Sequence, residues 1–345
     1  VAVCIVTYGA AVDLPECVAS LRQLEAPVSE IVVVDCASAD DTVAAAEELA
    51  RDFARESANA SESSSQEAVT PFRVVALDEN LGFAGGMNRA LAETGAPFVL
   101  SLNADARPGP DFVQRLLASL EAHPEAAAVT GRLLRPQPPD ASPGEPRRLD
   151  ACGMRLVTTW RHLDRGSGEL DRGQFSQPEK VFGATGAATL YRRAALEDAA
   201  VDGEVFDAAF HSFREDAELS FRLRERGWEI LYEPAAVAVH KRWNLPERRT
   251  AMPPMVNYHS LKNRYLLRCY HQTGRNLLLT LLPTLYRDLL ALGYVLLRER
   301  SSLAAYGWLW KNRRRILERR RHIQGRRKVG SSAIDRWFRT SGEPL

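Results

Sequence analysis

Four stretches of the chain place oxygen- and nitrogen-bearing side chains where they could do chemistry. Asn103-Ala104-Asp105 follows the apolar run Pro97–Leu102. A carboxylate beside a short polar side chain at a strand end suits an oxygen-loving cation such as Mg²⁺ or Mn²⁺. Such a cation could bridge diphosphate oxygens, although Asn and Asp also end strands as ordinary turns. Glu79-Asn80-Leu81-Gly82-Phe83-Ala84-Gly85-Gly86-Met87-Asn88-Arg89 is rich in glycine. Ahead of a helix, such a segment lets backbone approach a phosphate or ribose, or is simply a turn with a cap. The spacing is not GxGxxG, and Val6–Ala10 lacks that motif too, which counts against a dinucleotide-binding oxidoreductase. In Phe213-Arg214-Glu215-Asp216-Ala217-Glu218-Leu219 one carboxylate could take a proton, its pKa raised by its neighbours. The plainer role is to complement the positive end of a helix dipole. His240 closes the apolar run Ala235–Val239, as a structural residue or a second metal ligand.

These residues need a frame. The first half of the chain alternates β-branched runs with helical patterns: strands at Val1–Thr7, Ile31–Asp35, Phe72–Leu77 and Phe98–Leu102, and helices at Leu14–Leu24, Asp40–Ala54 and Gly85–Glu93. Strict alternation predicts an α/β sheet with parallel strands, and ligands at their carboxyl ends. Those ends carry Thr7-Tyr8, Asp35 and Asn103-Ala104-Asp105. Further strands are expected near Val181 and at Ala187–Tyr191, Ile230–Tyr232 and Val237–His240, with a helix over Glu215–Arg226. Glu56–Thr70 reads as a mobile surface insertion and Pro136–Pro146 as an exposed loop. From Pro254 onward the pattern is helical.

The order of these segments is more specific than any one of them. Thr7-Tyr8, Val33-Val34-Asp35 with Ser38 and Asp40, Asn80-Leu81-Gly82-Phe83 with Asn88, Asn103-Ala104-Asp105, Glu215-Asp216 and His240 together resemble the family 2 glycosyltransferases of the GT-A fold. Phe182–Gly186, Leu190–Arg193 and Arg222-Leu223 through Gly227-Trp228 are similar to that family too, most of all to its bacterial rhamnosyltransferase-like branch. The resemblance spans roughly Val1 to Asn244. It implies a mixed, mostly parallel sheet, a GT-A catalytic domain over 1–244 and a helical, basic region over 245–345. It further implies an inverting transfer from a nucleotide-diphospho-sugar, dTDP-rhamnose first among donors, to a hydroxyl of a cell-surface glycan or lipid-linked acceptor. By resemblance, Thr7, Tyr8 and Asp35 hold the nucleobase and ribose, with Ser38 beside them. Asn80, Gly82, Gly85 and Asn88 line the donor, and Asn103 stands at the strand end. Asp105 and His240 bind a divalent metal, Mg²⁺ or Mn²⁺, and Asp216 is the base. Gly186, Glu215 and Arg222 are expected at or behind the acceptor.

Three departures stand out. Asn103 replaces the first Asp of the usual DxD, Cys36 stands where the family often has Asn, and Arg214 adjoins the acid pair. Arg214 would lower carboxylate pKa values if it pointed inward, and it is expected to face solvent. A catalytically silent glycan-binding or scaffold protein remains an alternative. A sugar nucleotidyltransferase needs a Gly-rich, Arg-containing loop after the first strand, which Tyr8–Leu14 lacks.

Composition sets bounds. The 345 residues suffice for one large or two ordinary domains, and 45% hydrophobic with 26% charged residues is a soluble globular balance. Cys4, Cys17, Cys36, Cys152 and Cys269 show no CxxC or CxxH spacing, which speaks against a zinc site or disulfide framework and fits a reducing cytosol. Val1 opens on an apolar run without a signal peptide's charged start. No uncharged apolar run reaches about 18 residues, so a simple membrane span is not expected. Asn276–Leu297 is apolar but carries Pro283, Arg287 and Asp288, as an amphipathic segment or helical hairpin does. Lys311–Lys328 then holds ten Lys or Arg residues around Glu318, just after Trp308 and Trp310. A basic helix with aromatic anchors is the pattern of in-plane binding to anionic lipid. The expectation is therefore a cytoplasmic protein held peripherally on the inner face of the plasma membrane, with no nucleic-acid partner.

Overall fold

The structure is a computed structural model that describes residues 1–26, 28–63, 70–138, 140–142, 144–242 and 252–339, with only the backbone for 56–63 and 339. The first half delivers the expected alternation: β1 (Ala2–Thr7), α1 (Leu14–Leu21), β2 (Glu30–Asp35), α2 (Thr42–Ser63), β3 (Phe72–Ala76), α3 (Gly82–Ala92) and β4 (Phe98–Asn103). The chain continues through β5 (Ala106–Pro108), α4 (Phe112–Ala122), β6 (Ala126–Leu134), β7 (Leu149–Ala151), β8 (Met154–Leu156), β9 (His162–Asp164), β10 (Glu179–Lys180), β11 (Ala188–Arg192), α5 (Arg193–Ala199), α6 (Glu215–Glu225) and β12 (Glu229–His240). Five helices close it: α7 (Pro254–His271), α8 (Gly274–Arg298), α9 (Ala304–Lys311), α10 (Arg313–Gly325) and α11 (Ser331–Arg339).

The sheet runs β10-β12-β6-β11-β4-β1-β2-β3. Along this path only β10 and β11 oppose the other strands, so the sheet is mixed and mostly parallel. Alternate residues of each strand serve the two faces. Val3, Ile5, Ile31 and Val33 pack with α1 and α4 residues such as Leu14 and Phe112. Cys4, Val32 and Val34 pack with α3 and α6 residues such as Met87 and Leu219. Central strands covered on both faces must read as continuous apolar runs, and these do. The carboxyl ends of β1, β2, β4 and β12 therefore lie along one edge, where the start of the antiparallel β11 joins them.

Several expectations are corrected. The helix expected to end at Ala54 continues to Ser63, through the first part of the expected insertion, while 64–69 lie outside the described residues. The short strand expected near Val181 is β10, which ends one residue before it. The two strands expected at Ile230–Tyr232 and Val237–His240 are one, β12, with a register shift between Glu233 and Val237 that spans Pro234. A proline lacks the ladder donor, and the irregularity absorbs that loss. The expected domain boundary at Asn244–Leu245 lies outside the described residues. Leu266, Leu267, Tyr270, Ile316, Ile323 and Phe338 of the closing helices share one core with Trp160, Phe182, Phe210 and Phe221.

Six of the ten cations of the basic run have partners elsewhere within the fold. Arg315 meets Asp207 at 2.8 Å and Arg319 meets Glu204 at 3.0 Å. Arg320 donates to the Cys269 carbonyl at 2.7 Å, and Arg326 to those of Asp198 (2.8 Å) and Ala200 (2.7 Å). Arg327 faces Glu225 at 3.4 Å and Lys328 faces Asp198 at 3.4 Å. Trp308, expected as a membrane anchor, packs against the shared core, with Lys262 4.8 Å above its ring.

Candidate active site

β4 delivers Asn103 to the edge of the sheet, and the next turn sets Asp105 beside the last residue of β12. Asp105 Oδ1 lies 3.2 Å from His240 Nε2, and Asn103 Nδ2 lies 3.4 Å from the same nitrogen. The other ring nitrogen of His240, Nδ1, is 2.7 Å from Oδ2 of Asp150, which is fully buried at the centre of β7. Arg242 Nε sits 3.1 Å from the second Asp150 oxygen, and its guanidinium also pairs with Asp164. Burial alone would lower the His240 pKa, but Asp105 and Asp150 outweigh it and hold it near 9. A carboxylate behind one imidazole nitrogen fixes the ring and raises the basicity of the other, the usual backing of a metal-bound histidine.

The donor set of Asp105 and His240 fits a divalent cation whose remaining positions are taken by phosphate oxygens and water. Among the described residues no group of three or more His, Cys, Asp or Glu side chains is arranged to hold a metal. Asp150 is occupied behind the imidazole, so among the described residues Asp105 and His240 are the pair that would face such a cation.

Across the same edge, α6 begins with the acid pair. Asp216 Oδ2 accepts from the Gly186 N–H at 3.0 Å and Oδ1 from the Ala217 N–H at 2.7 Å. Burial pushes the Asp216 pKa up to about 6, and the negative charge of Asp164 adds to this against the two backbone donors. Glu215 is buried with its Oε2 unpaired, and burial together with Asp216 raises its pKa well above the carboxylate range. Gly186 has little room to spare: a Cβ there would come within 3.3 Å of Phe83 and 3.6 Å of the Asp216 Cβ.

The loop entering α6 is strained. His211, Phe213 and Arg214 have φ of 63°, 70° and 73°, values unusual without glycine. Asn263 of α7, fully buried, holds the loop in place. Its side-chain amide donates toward the carbonyls of Phe210 (2.8 Å), Ser212 (2.9 Å) and Phe213 (2.7 Å). Arg214, expected to face solvent, is half-buried with its guanidinium 3.4 Å from His162 Nδ1.

The residues expected around the donor divide. Tyr8 is open to solvent, 63% exposed at the end of β1. Asp35 is fully buried; Thr7 Oγ1 (2.8 Å), Ser38 Oγ (2.5 Å) and Ser38 N–H (2.8 Å) all donate to it, tying β1 to β2. Asn80 accepts from the Gly82 N–H at 2.8 Å and so starts α3. Gly82 has φ of 67°, and a Cβ there would meet the His211 carbonyl at 2.4 Å. Gly85 is buried one helical turn on, within α3 rather than ahead of it. Asn88 is spent on the Phe206 backbone, accepting at 2.9 Å and donating at 2.7 Å. Cys36 lies beneath α3 with its thiol pushed up to about 11 by burial. Arg222 does not reach the cleft: it is buried in a fork with Glu218 (2.8 and 2.6 Å) and donates to the Ala199 and Val205 carbonyls. Asp150, Asp164, Arg242 and Asn263 went unmarked in the sequence.

A parallel half-sheet bearing Asp105, completed by an antiparallel strand, with a carboxylate pair opposite, defines the class of GT-A glycosyltransferases. The mannosyltransferase PcManGT from Pyrobaculum calidifontis, solved with GDP-Man and Mn²⁺, superposes with a TM-score of 0.51 at 17% identity, over 90% of this chain and 74% of that one. The model described as glycosyl transferase family 2 matches residues 2–199, and the chain belongs to that family. It is 23% identical over 231 residues to a poly-beta-1,6-N-acetyl-D-glucosamine synthase of Staphylococcus epidermidis, covering 67% of this chain and 47% of that protein. It is 27% identical over 187 residues to an N-acetylglucosaminyl-diphospho-decaprenol L-rhamnosyltransferase of Mycobacterium tuberculosis, covering 49% of this chain and 58% of that protein. The chain thus spans about half the length of the curated relatives it matches.

Proposed function

We propose that this glycosyltransferase is an inverting, metal-assisted enzyme that moves a sugar, rhamnose first among candidates, from a nucleotide diphosphate to a lipid-linked glycan at the cytoplasmic face of a membrane. The observation that carries the reading is the meeting of two carboxylate centres on one sheet edge: Asp105 with His240, and Asp216 held by the Gly186 N–H. The N-acetylglucosaminyl-diphospho-decaprenol rhamnosyltransferase and the mannosyltransferase solved with GDP-Man and Mn²⁺ support the donor, acceptor and metal assignments.

Asp216 is the base. Its raised pKa makes it a stronger proton acceptor than an exposed aspartate, and both oxygens are held by backbone donors. It takes the proton of the acceptor hydroxyl as that oxygen attacks the anomeric carbon. The bond to the nucleoside diphosphate breaks on the opposite side, so one displacement inverts the anomeric configuration. Asp105 and His240 would hold Mg²⁺ or Mn²⁺, which supplies positive charge to the departing diphosphate. Asp150 and Arg242 fix the imidazole, and Tyr8 with the Thr7–Asp35–Ser38 knot shapes the nucleoside end of the cleft.

The test is a pair of substitutions. Asp216→Asn is expected to keep nucleoside diphosphate affinity while turnover falls ~10²–10⁴-fold. Asp105→Ala should remove the Mn²⁺-dependent part of that affinity, read by calorimetry. Near-normal turnover of the first variant, or unchanged Mn²⁺ dependence in the second, would refute the corresponding role.

A further inference from the structure

Helix α8 is built inside out. Asn276, Thr280, Thr284 and Asp288 recur every four residues, the spacing that aligns side chains on one face of a helix. That polar face is the one turned toward the protein. Asn276, Thr280 and Thr284 are buried. Thr280 Oγ1 accepts from Trp160 Nε1 at 2.9 Å, and Thr284 Oγ1 donates to the Thr158 carbonyl at 3.1 Å. Asp288 receives Arg264 at 2.6 Å and Arg268 at 2.5 Å from α7. The leucines look outward: Leu278, Leu282 and Leu297 are 79%, 75% and 78% exposed, and Leu285, Tyr286 and Leu289 are also exposed.

A helix surrounded by water places its apolar stripe on the protein and its polar stripe outside. The opposite arrangement over 25 residues, about 37 Å, leaves a far larger apolar surface than scattered exposed leucines would. α8 is long and apolar enough to cross a membrane by length and composition. Its polar stripe, though, is bonded to the body of the protein from Thr280 to Asp288, which suits a helix lying along a surface. The exposed charge around it has one sign. Arg298, Arg300, Lys311, Arg313, Arg314 and Arg321 are exposed, and Glu318 is the one exposed acid among the described residues 252–339. Trp310, 72% exposed, adds an aromatic ring of the kind that sits at headgroup level.

We propose that α8 is the membrane-seating element of this protein. It lies along an anionic bilayer with its leucine face in the headgroup–acyl boundary, held to the body by Thr280, Thr284 and Asp288, while the exposed arginines and Lys311 meet lipid phosphates. This assigns the attachment to the apolar helix, with the basic run that follows only assisting. It stands independently of the roles given to Asp105, His240 and Asp216.

The test uses the full chain and flotation with phosphatidylcholine vesicles, with and without phosphatidylglycerol, and needs no activity measurement. Wild-type protein is expected to float with the anionic vesicles, and more weakly with the neutral ones. A Leu278→Ser, Leu282→Ser, Leu289→Ser variant should lose at least about a hundredfold in partitioning, with an unchanged melting temperature because these side chains are exposed. Equal binding to both vesicle types would overturn the commitment to an anionic surface. Absence of binding, or binding that survives the triple substitution, would overturn the role of α8. Sedimentation without lipid provides a separate check. A dimer that becomes monomeric on the same substitutions would assign the face to a second copy of the chain and overturn the proposal.

Discussion

The acid pair of α6 makes a demand on pH that distinguishes this site from a surface carboxylate. As the proposed base, Asp216 can take a proton only when ionised, and burial with the nearby Asp164 holds its pKa up near 6. Turnover per bound donor is therefore expected to fall about tenfold for each pH unit below that value and to level off above it. Asp164→Asn removes a negative charge and leaves Arg242 less neutralised, so both effects should move the acid limb to lower pH. A pH–rate profile of the two proteins checks this, and an acid limb that stays in place would dissociate the limb from Asp216. Two residues of this centre were legible at strand ends, where an apolar run stops and a polar side chain begins: Asp105 and His240 carry that signal, whereas Asp216 stood out in the acidic cluster that opens α6. Asp150 carries neither signal: it sits inside a three-residue strand, far along the chain from the histidine it supports, and nothing local separates it from an ordinary loop carboxylate. Arg222 follows the acid pair in sequence, but α6 turns it into the core, where it pairs with Glu218.

Elements explain what individual residues could not. The alternating pattern of β1 through β4 was readable because each strand is a short β-branched run. The long central strand β6 and its helix α4 went unassigned; Ala126-Ala127-Ala128 suits helix as well as strand, and only the packing between β12 and β11 decides. The loop before α6 was likewise invisible, since left-handed backbone at His211, Phe213 and Arg214 has no glycine to announce it. Each such residue costs about 1 kcal/mol or more, and Asn263 holds them from another element altogether. Asn263→Ala is expected to loosen the loop and shift Asp216, lowering turnover about tenfold or more while nucleotide affinity is kept. Steady-state kinetics beside calorimetric binding separates these outcomes; loss of both in equal measure would assign Asn263 to general folding.

At the scale of the whole molecule, the closing helices complete a core of the α/β half. A chain ending at Arg242 would expose Trp160, Phe182, Phe210 and Phe221 by removing the residues of α7, α10 and α11 that cover them. It is expected to lack a cooperative thermal transition, and a calorimetric scan with a sharp endotherm would contradict this. The same packing has a geometric consequence. Trp160 donates to Thr280 of α8 and stacks on Phe221 of α6 at 5.7 Å, so one indole braces the outward-facing helix against the helix that carries the proposed base. With α8 seated in lipid, that brace sets the height of Asp216 above the bilayer. On that proposal, acceptor choice would be partly a matter of reach: a hydroxyl the right number of sugar units from a lipid anchor would arrive at the proposed base, and shorter or longer glycans would not. The enzyme would measure its substrate as well as recognise it.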